Sequence, residues 1–451
     1  MTVLRPPASP VSRSVLVLGA TAALGGLLFG FDIAIITGAG PFLLQHFRLG
    51  PLGLGWAFSP LLFGCVLGSA ITGWIADHQG RRRPLLWVAV LFALTCAATG
   101  LAPTFTIFIL ARFAGGLAVG AISVLAPMYV SEISPAASRG RMGTLYQLAI
   151  VVGILVSYSV NYALIDIGPW NWRWMFLSGA IPSAFFWIML WRAPDSPRFL
   201  VLAGREAEAG KVLERWLAPA EVAAELAQIR ASVAHRSSGW VELRRPELRR
   251  PLGVGLALAI LIQVSGINTI IDYAPQIFQS TGWSVNVALF STFGIGVTNL
   301  VFTLVSFRVI DRRGRKPPYI VGSLGMGAAL LGLMIAAATG HFRGGVVLAL
   351  VFSYVALFSS CIGPVFWTLV PEIFPNRVRG EAMTVPVLAQ WAANAVVVLL
   401  FPLAFQQIGK ALTFGFLAAM ALLQAWFTWR YVPETKGRSL EEIETLWASR
   451  P

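Results

Sequence analysis

The sequence predicts an all-α membrane protein with about twelve transmembrane helices in two six-helix halves and short cytoplasmic helices between them. Three observations predict this. Apolar residues make up 57 % of the chain and charged ones 12 %, against about 25 % charged in ordinary soluble domains, and the mean hydropathy is +0.73. Apolar runs of ~20 residues, long enough to cross a bilayer, recur along nearly the whole length. The chain also repeats itself. Glu132-Ile-Ser-Pro135-Ala-Ala-Ser-Arg139-Gly140 returns as Glu372-Ile-Phe-Pro375-Asn-Arg-Val-Arg379-Gly380, 240 residues on (372 − 132). Asp77-x-x-Gly80-Arg81-Arg82 returns as Asp311-x-x-Gly314-Arg315-Lys316 after 234 (311 − 77), and Pro194-Asp195-Ser196 as Pro433-Glu434-Thr435 after 239 (433 − 194). Charged, helix-terminating stretches repeated at one long interval between apolar runs describe a duplicated membrane unit, and such units point to transport.

Those charged stretches delimit the elements. In the first half, spanning segments are expected at 14–44, 54–76, 84–102, 104–130, 141–165 and 172–193; in the second, at 251–280, 287–311, 317–339, 344–371, 381–408 and 411–432. Segment 1 is too long for a signal-peptide core and carries Asp32, so it reads as a retained helix. The division is then 1–195 for the first half, 196–250 for a linker, 251–433 for the second half and 434–451 for a tail. In the linker, Arg205, Glu206, Glu208, Lys211, Glu214 and Arg215 alternate with Val212, Leu213, Trp216 and Leu217 in an amphipathic helical rhythm. A second helical stretch is expected at 220–234, after Pro219. Both read as short helices packed under the membrane domain.

Lys and Arg occupy alternate connections: Arg81, Arg82 and Arg83; Arg139 and Arg141; 192–250; Arg312, Arg313, Arg315 and Lys316; Arg377 and Arg379; and the tail. The other connections hold only Arg48, Arg173, Arg343 and Lys410. This asymmetry places the basic loops and both termini in the cytoplasm, and the membrane is expected to be the inner one. It also accounts for the net charge of +14 without nucleic acid, since the excess faces an anionic leaflet. Cys65, Cys96 and Cys361 lie within apolar segments and imply no disulfide framework. His46, His78, His235 and His341 have no metal-ligand spacing. No nucleophile–base constellation or phosphate loop is visible, so neither an enzyme nor a cofactor is expected.

Six motifs in order resemble the sugar porter family of the major facilitator superfamily over essentially the full length. They are Gly30-Phe31-Asp32; Arg112 followed by Gly115-Gly116; Pro194-Asp195-Ser196-Pro197-Arg198; Gln263-Val-Ser-Gly266-Ile-Asn268; Gly363-Pro364-Val-Phe-Trp367; and Pro433-Glu434-Thr435-Lys436-Gly437-Arg438 with the residues to Glu442. The resemblance implies the major facilitator fold, functional as a monomer. It also implies proton-coupled uptake of a monosaccharide or related polyol by alternating access. An uncoupled facilitator is the alternative, and a transporter-like sensor is disfavoured by the short expected tail.

Ionisable side chains inside spanning segments cost roughly 2.5–3.5 kcal/mol on insertion scales, so Asp32, Arg112 and Asp272 need reasons. Counted along their helices, Asp32 and Arg112 both fall within ~10–20 Å of the outer surface. The family gives these two positions to a proton-coupling pair. Burial disfavours a charged carboxylate and a guanidinium favours it, so making or breaking the pair switches proton affinity. Arg keeps its proton, which leaves Asp32 as the carrier; a static pair fixing helix packing is the other reading. Asp272 stands where the family usually has an aromatic residue. It reads as a second proton site, an acceptor for a substrate hydroxyl, or a charge reaching toward the outer mouth.

A sugar is best held by amides, which both donate and accept, and by an aromatic face. Gln263, Asn268, Asn299, Trp367 and Gln390 match the family's sugar-contact positions; helix–helix hydrogen bonding or packing is the alternative for each. Two departures put a standard glucose or xylose site in doubt. Ile262 replaces the first of two adjacent Gln, and Ile154 replaces a Gln in segment 5.

The repeated charges suggest a gate. Asp77, Gly80 and Arg81 with Glu132 and Arg139, and Asp311, Gly314 and Arg315 with Glu372 and Arg379, resemble the family's cytoplasmic ion-pair latch, which breaks when the cavity opens inward. Orientation alone would need only the basic residues. His78 follows the first Asp where a basic residue is common, which suggests a weaker latch in that half.

Overall fold

The computed structural model describes residues 13–134, 139–215, 217, 219–234, 239–375 and 378–436, and every regular element among them is helical. Twelve spans are long and apolar enough to cross a membrane. Segments 1 to 5 are Arg13–His46, Pro51–Gln79, Arg82–Gly100, Phe105–Ile133 and Arg139–Ala163. Segment 6 runs as Asn171–Ser178 and Ala180–Arg192. In the second half, segments 8 and 9 are Val285–Arg313 and Lys316–Ala338. Segment 11 is Arg379–Leu403, closed by a π turn at Ala404–Ile408, and segment 12 is Lys410–Tyr431.

Segments 7 and 10 are broken as well. Segment 7 comprises Arg249–Val264, Ile267–Asp272 and Ala274–Gln279. Its first break falls at Gly266, whose φ of +92° is open to glycine without the clash a Cβ would bring. Segment 10 comprises Gly344–Cys361 and Gly363–Glu372. Pro364 has no N–H to continue the ladder and its ring crowds the carbonyl four residues back.

The two halves pack by one scheme. Segment 1 lies on 5 and segment 2 on 4; correspondingly, segment 7 lies on 11 and segment 8 on 10. Segments 2 and 4 approach at Gly64 and Gly116, where a Cβ on either glycine would strike the backbone of the other helix. Membrane helices associate through such close contact, because lipid gives no hydrophobic reason to do so. Between the halves, segment 2 meets 11 and segment 5 meets 8, a pair of contacts that the repeat exchanges.

Two rings of exposed tryptophans mark the membrane boundaries. Trp74, Trp87, Trp191 and Trp429 lie near the face of the basic loops, and Trp56, Trp170 and Trp174 near the opposite face. The buried residues of one apolar cluster all belong to the first half, with Trp391 of segment 11 packed against them. The other crosses between halves away from the basic loops, joining Ala39, Leu43 and Phe58 to Ile270, Tyr273 and Phe401. The face opposite the basic loops is therefore sealed.

Helices Pro197–Leu202, Glu206–Leu213 and Pro219–Ala234 form the linker, followed by 3-10 turns at Gly239–Arg244 and Pro246–Leu248. Leu200, Val201, Ala209 and Val212 pack with Leu226 and Ile229 into a small core. An Arg230–Glu206 ion pair ties the last linker helix to the one before it. The first linker helix rests on segment 4, and the Gly239–Arg244 turn on segment 11.

Candidate functional site

Asp32 and Arg112 meet inside the first half. Arg112 Nη1 donates to Asp32 Oδ1 at 2.9 Å, with side chains only 2 % and 5 % exposed for Arg112 and Asp32. The guanidinium also sits 5.3 Å from the centre of the Phe176 ring in segment 6, a cation–π contact the sequence did not single out. The pair is incomplete. Asp32 Oδ2 and Arg112 Nε and Nη2 are buried with no hydrogen-bond partner. Buried polar atoms are seldom left so.

Asp272 is buried in this conformation, 4 % exposed, at the end of the helix Ile267–Asp272. This short helix packs on segment 1 of the other half, so the position that would have been a rim is closed over.

The amides separate into two groups. Asn268 Nδ2 donates to Gln263 Oε1 at 3.0 Å across the break at Gly266, so the broken backbone presents a joined amide pair. Asn299 Oδ1 accepts from Ser359 at 2.9 Å and Thr303 at 3.3 Å, joining segment 8 to segment 10. Gln390 Oε1 is buried without a partner, and Trp367 is 45 % exposed beside Phe366. On the same helix as Gln390, Trp391 packs edge-on against Phe29 of segment 1 at 5.8 Å. Ile262 is buried and Ile154 half-buried, and neither carries a polar atom that replaces the missing amides.

At the basic face the repeat becomes geometry. Arg81 Nη2 bonds Glu132 Oε1 at 2.7 Å, and Arg315 bonds Glu372 through Nε at 3.0 Å and Nη2 at 2.7 Å. Gly80 and Gly314 carry φ values of +79° and +82°, turning the chain between consecutive segments. Each ion pair joins helices of one half only. Each therefore clamps its own half, not one half to the other, as a latch between halves would. The Arg81–Glu132 pair is the more buried of the two, and Arg315–Glu372 is the one joined by two bonds; His78 Nδ1 lies 2.9 Å from the Trp74 carbonyl. Asp77 is also engaged. The side chains of Arg139, Asp311 and Arg379, with Trp216, His235, Arg377 and the tail from 437, lie outside the described residues.

Each glutamate has a further hydroxyl partner. Ser196 bonds the second oxygen of Glu132, and Thr435 donates to Glu372 Oε2 at 2.6 Å. The repeat of Ser196 as Thr435 at the same interval was the available signal for this role. Glu434 accepts the amides of Arg315 and Lys316 at 3.1 and 3.0 Å, at the start of segment 9. Burial pushes the Glu434 carboxyl up, but four backbone amides, of Lys436, Arg315, Lys316 and Thr435, together hold it below the usual glutamate value.

A sequence profile describing sugar (and other) transporters matches residues 18–447. The chain belongs to the sugar transporter family of the major facilitator superfamily. Among its relatives, the arabinose-proton symporter of Bacillus subtilis is 36 % identical, over 98 % of this chain and 98 % of that protein. A glucose facilitated diffusion protein of Zymomonas mobilis is 37 % identical, over 96 % of this chain and 97 % of that protein. The solved structure of the xylose transporter XylE from Escherichia coli, in a partially occluded inward-open conformation, superposes with a TM-score of 0.86 at 33 % identity. It covers 95 % of this chain and 100 % of that one. This transporter is thus a multi-pass membrane protein with the major facilitator fold.

Proposed function

We propose that the transporter is a proton-coupled symporter that takes up a monosaccharide or related polyol by alternating access. The observation that carries this is the buried Asp32–Arg112 pair with its unpaired Asp32 Oδ2. When that oxygen holds a proton, the carboxyl is neutral and Arg112 loses its counter-charge, so the packing of segments 1 and 4 responds to protonation. The amide pair of Gln263 and Asn268, at the break in segment 7, keeps three N–H donors and acceptor capacity on both carbonyl oxygens for sugar hydroxyls. Trp367, Gln390 and Asn299 complete the site from segments 10, 11 and 8. The missing amides at 154 and 262 favour a substrate with fewer hydroxyls, or hydroxyls differently placed, than glucose.

In this reading the basic face is cytoplasmic, the sealed face is outer, the membrane is the inner one, and a single chain encloses the pathway. The four segments 1, 2, 7 and 11 that meet at the sealed face move apart there when the cavity opens outward. The clamps Arg81–Glu132–Ser196 and Arg315–Glu372–Thr435 keep each half rigid as it rocks. An uncoupled facilitator is the second reading, favoured by the name of the Zymomonas relative. Reconstituted vesicles separate the two. A symporter takes up protons when sugar is added, and Asp32→Asn abolishes accumulation against a gradient while exchange at equilibrium persists. Accumulation retained by Asp32→Asn defeats the coupling role of Asp32; no proton uptake at all leaves the facilitator.

A further inference from the structure

Asp272 is unlike every other ionisable group in the sealed contact between the halves. The helix that ends with it packs on segments 1, 10 and 11, so it lies at the contact itself and not within one half. Next to it, Tyr273 closes the layer. Its ring stacks on Phe58 of segment 2 at 4.5 Å and on Phe401 of segment 11 at 5.3 Å, and its hydroxyl donates to the Val398 carbonyl at 2.9 Å. One turn on, Gln276 abuts Gly40 of segment 1, with both amide atoms buried and unpaired.

Among the described residues, no side chain or amide donates to Asp272 and no cation pairs with it. The groups around it can be named by element. From segment 4, Arg112 is the one cation whose charge reaches it, but that guanidinium is engaged by Asp32 of segment 1 at 2.9 Å. From segment 5 there is Tyr158, whose hydroxyl is unpaired and lies near the equally unpaired hydroxyl of Thr37. Segment 10 contributes Tyr354, already donating to the Ser265 carbonyl at 2.9 Å. Segment 11 has no titratable residue between Glu381 and Lys410, and segment 1 none between Asp32 and His46.

A carboxylate so nearly buried in that contact, without a donor or a cation, costs several kcal/mol, whereas a neutral carboxyl can donate to a free hydroxyl. When the halves part on that face, water reaches the group and the charged form is restored. We propose that sealing of the face opposite the basic loops requires Asp272 to hold a proton, which makes this residue a second proton site, distinct from Asp32, that ties the gate to pH. The inference rests on alternating access, and it does not need Asp32 to be the coupling site. The expected sense is that acid favours the sealed state and alkali the open one.

The test uses full-length transporter in which the native cysteines are replaced (C65S, C96S, C361S) and Ala39→Cys reports on the sealed contact, where Ala39 is fully buried. Labelling by a membrane-impermeant thiol reagent is followed from acid to alkaline pH. Each rate is divided by that of the same cysteine in unfolded protein at the same pH, which cancels the rise of thiolate with pH. With Asp272 intact, this relative labelling rises with pH, by up to about tenfold per pH unit, as one proton linked to opening requires. Asp272→Asn removes the slope and leaves Ala39→Cys protected throughout. Asp272→Glu keeps the slope, which separates loss of the acid from damage to the fold; Asp32→Asn, which frees Arg112 toward Asp272, moves the slope to lower pH without abolishing it. A slope unchanged in Asp272→Asn, or lost equally in Asp272→Glu, overturns the proposal. Sugar-induced proton uptake is measured on the same vesicles. If it is absent while the slope persists, symport fails and the gate stands.

Discussion

Gln263 and Asn268 satisfy each other at 3.0 Å across a break in their helix, so a bound sugar must share or replace that bond. Removing one partner deletes a hydrogen bond to the sugar and frees the other amide. Each intramolecular bond is worth about 1 kcal/mol net, so Gln263→Ala is expected to weaken sugar binding roughly fivefold, read by equilibrium binding or KM for uptake. Ala substitution of Asn394, which is buried on segment 11 outside the amide pair, should destabilise the fold more than it changes sugar affinity. Glu434 makes a prediction of a different kind. Its carboxyl is held below its ordinary value of 4.5 by four amides, so the charged form is favoured in the folded state. The stabilisation is fully present above that ordinary value and is lost as pH falls through the lower folded value. Thermal unfolding in detergent should therefore drop by a few degrees on acidification below about pH 4, and Glu434→Gln should remove this component while lowering stability at neutral pH.

At the level of elements, the break in segment 7 depends on one backbone conformation. Gly266 has a φ of +92°, and a Cβ there would lie 2.8 Å from Leu417 of segment 12. Gly266→Ala adds the left-handed penalty of about 1–2 kcal/mol to that contact, so it should lower the unfolding temperature and slow uptake together. The breaks in segments 7 and 10 are features that apolar length did not indicate. Apolar length located all twelve segments to within a few residues, because a bilayer sets length and hydropathy records it. Hydropathy is blind to interruptions, and Gly266, Pro275 and Pro364 were the local signals of a broken path. The gate clamps were partly legible for the same kind of reason. The repeat singled out Arg81, Glu132, Arg315 and Glu372, but that each pair closes within its own half, with Ser196 or Thr435 on the second carboxylate oxygen, depends on helix directions that spacing alone does not give.

For the whole molecule, the repeat predicts two similar halves and leaves open which face they close. Closure is decided by residues that do not repeat, among them Asp272 and Gly55. Gly55 of segment 2 lies against the backbone carbonyl of Leu399 in segment 11, so near that a Cβ has no room. This contact belongs to the 2–11 half-to-half packing near the sealed face. A larger side chain there does not damage either half; it prevents the halves from meeting. Overpacking costs typically 1–3 kcal/mol, which would shift the balance between sealed and open outer faces by roughly 5- to 150-fold. Gly55→Leu is accordingly expected to raise thiol labelling of Ala39→Cys and to reduce uptake, while sugar binding from the outer side is preserved. The two routes to an open outer face then differ in one measurable respect. Opening through Asp272 varies with pH, and opening through Gly55→Leu is steric, so its labelling should stay high in acid, where the parent becomes protected. Labelling of Gly55→Leu that falls in acid as far as the parent's would show that the 2–11 contact yields without opening the face. In that case closure would rest on the segment 1–7 contact around Asp272 alone.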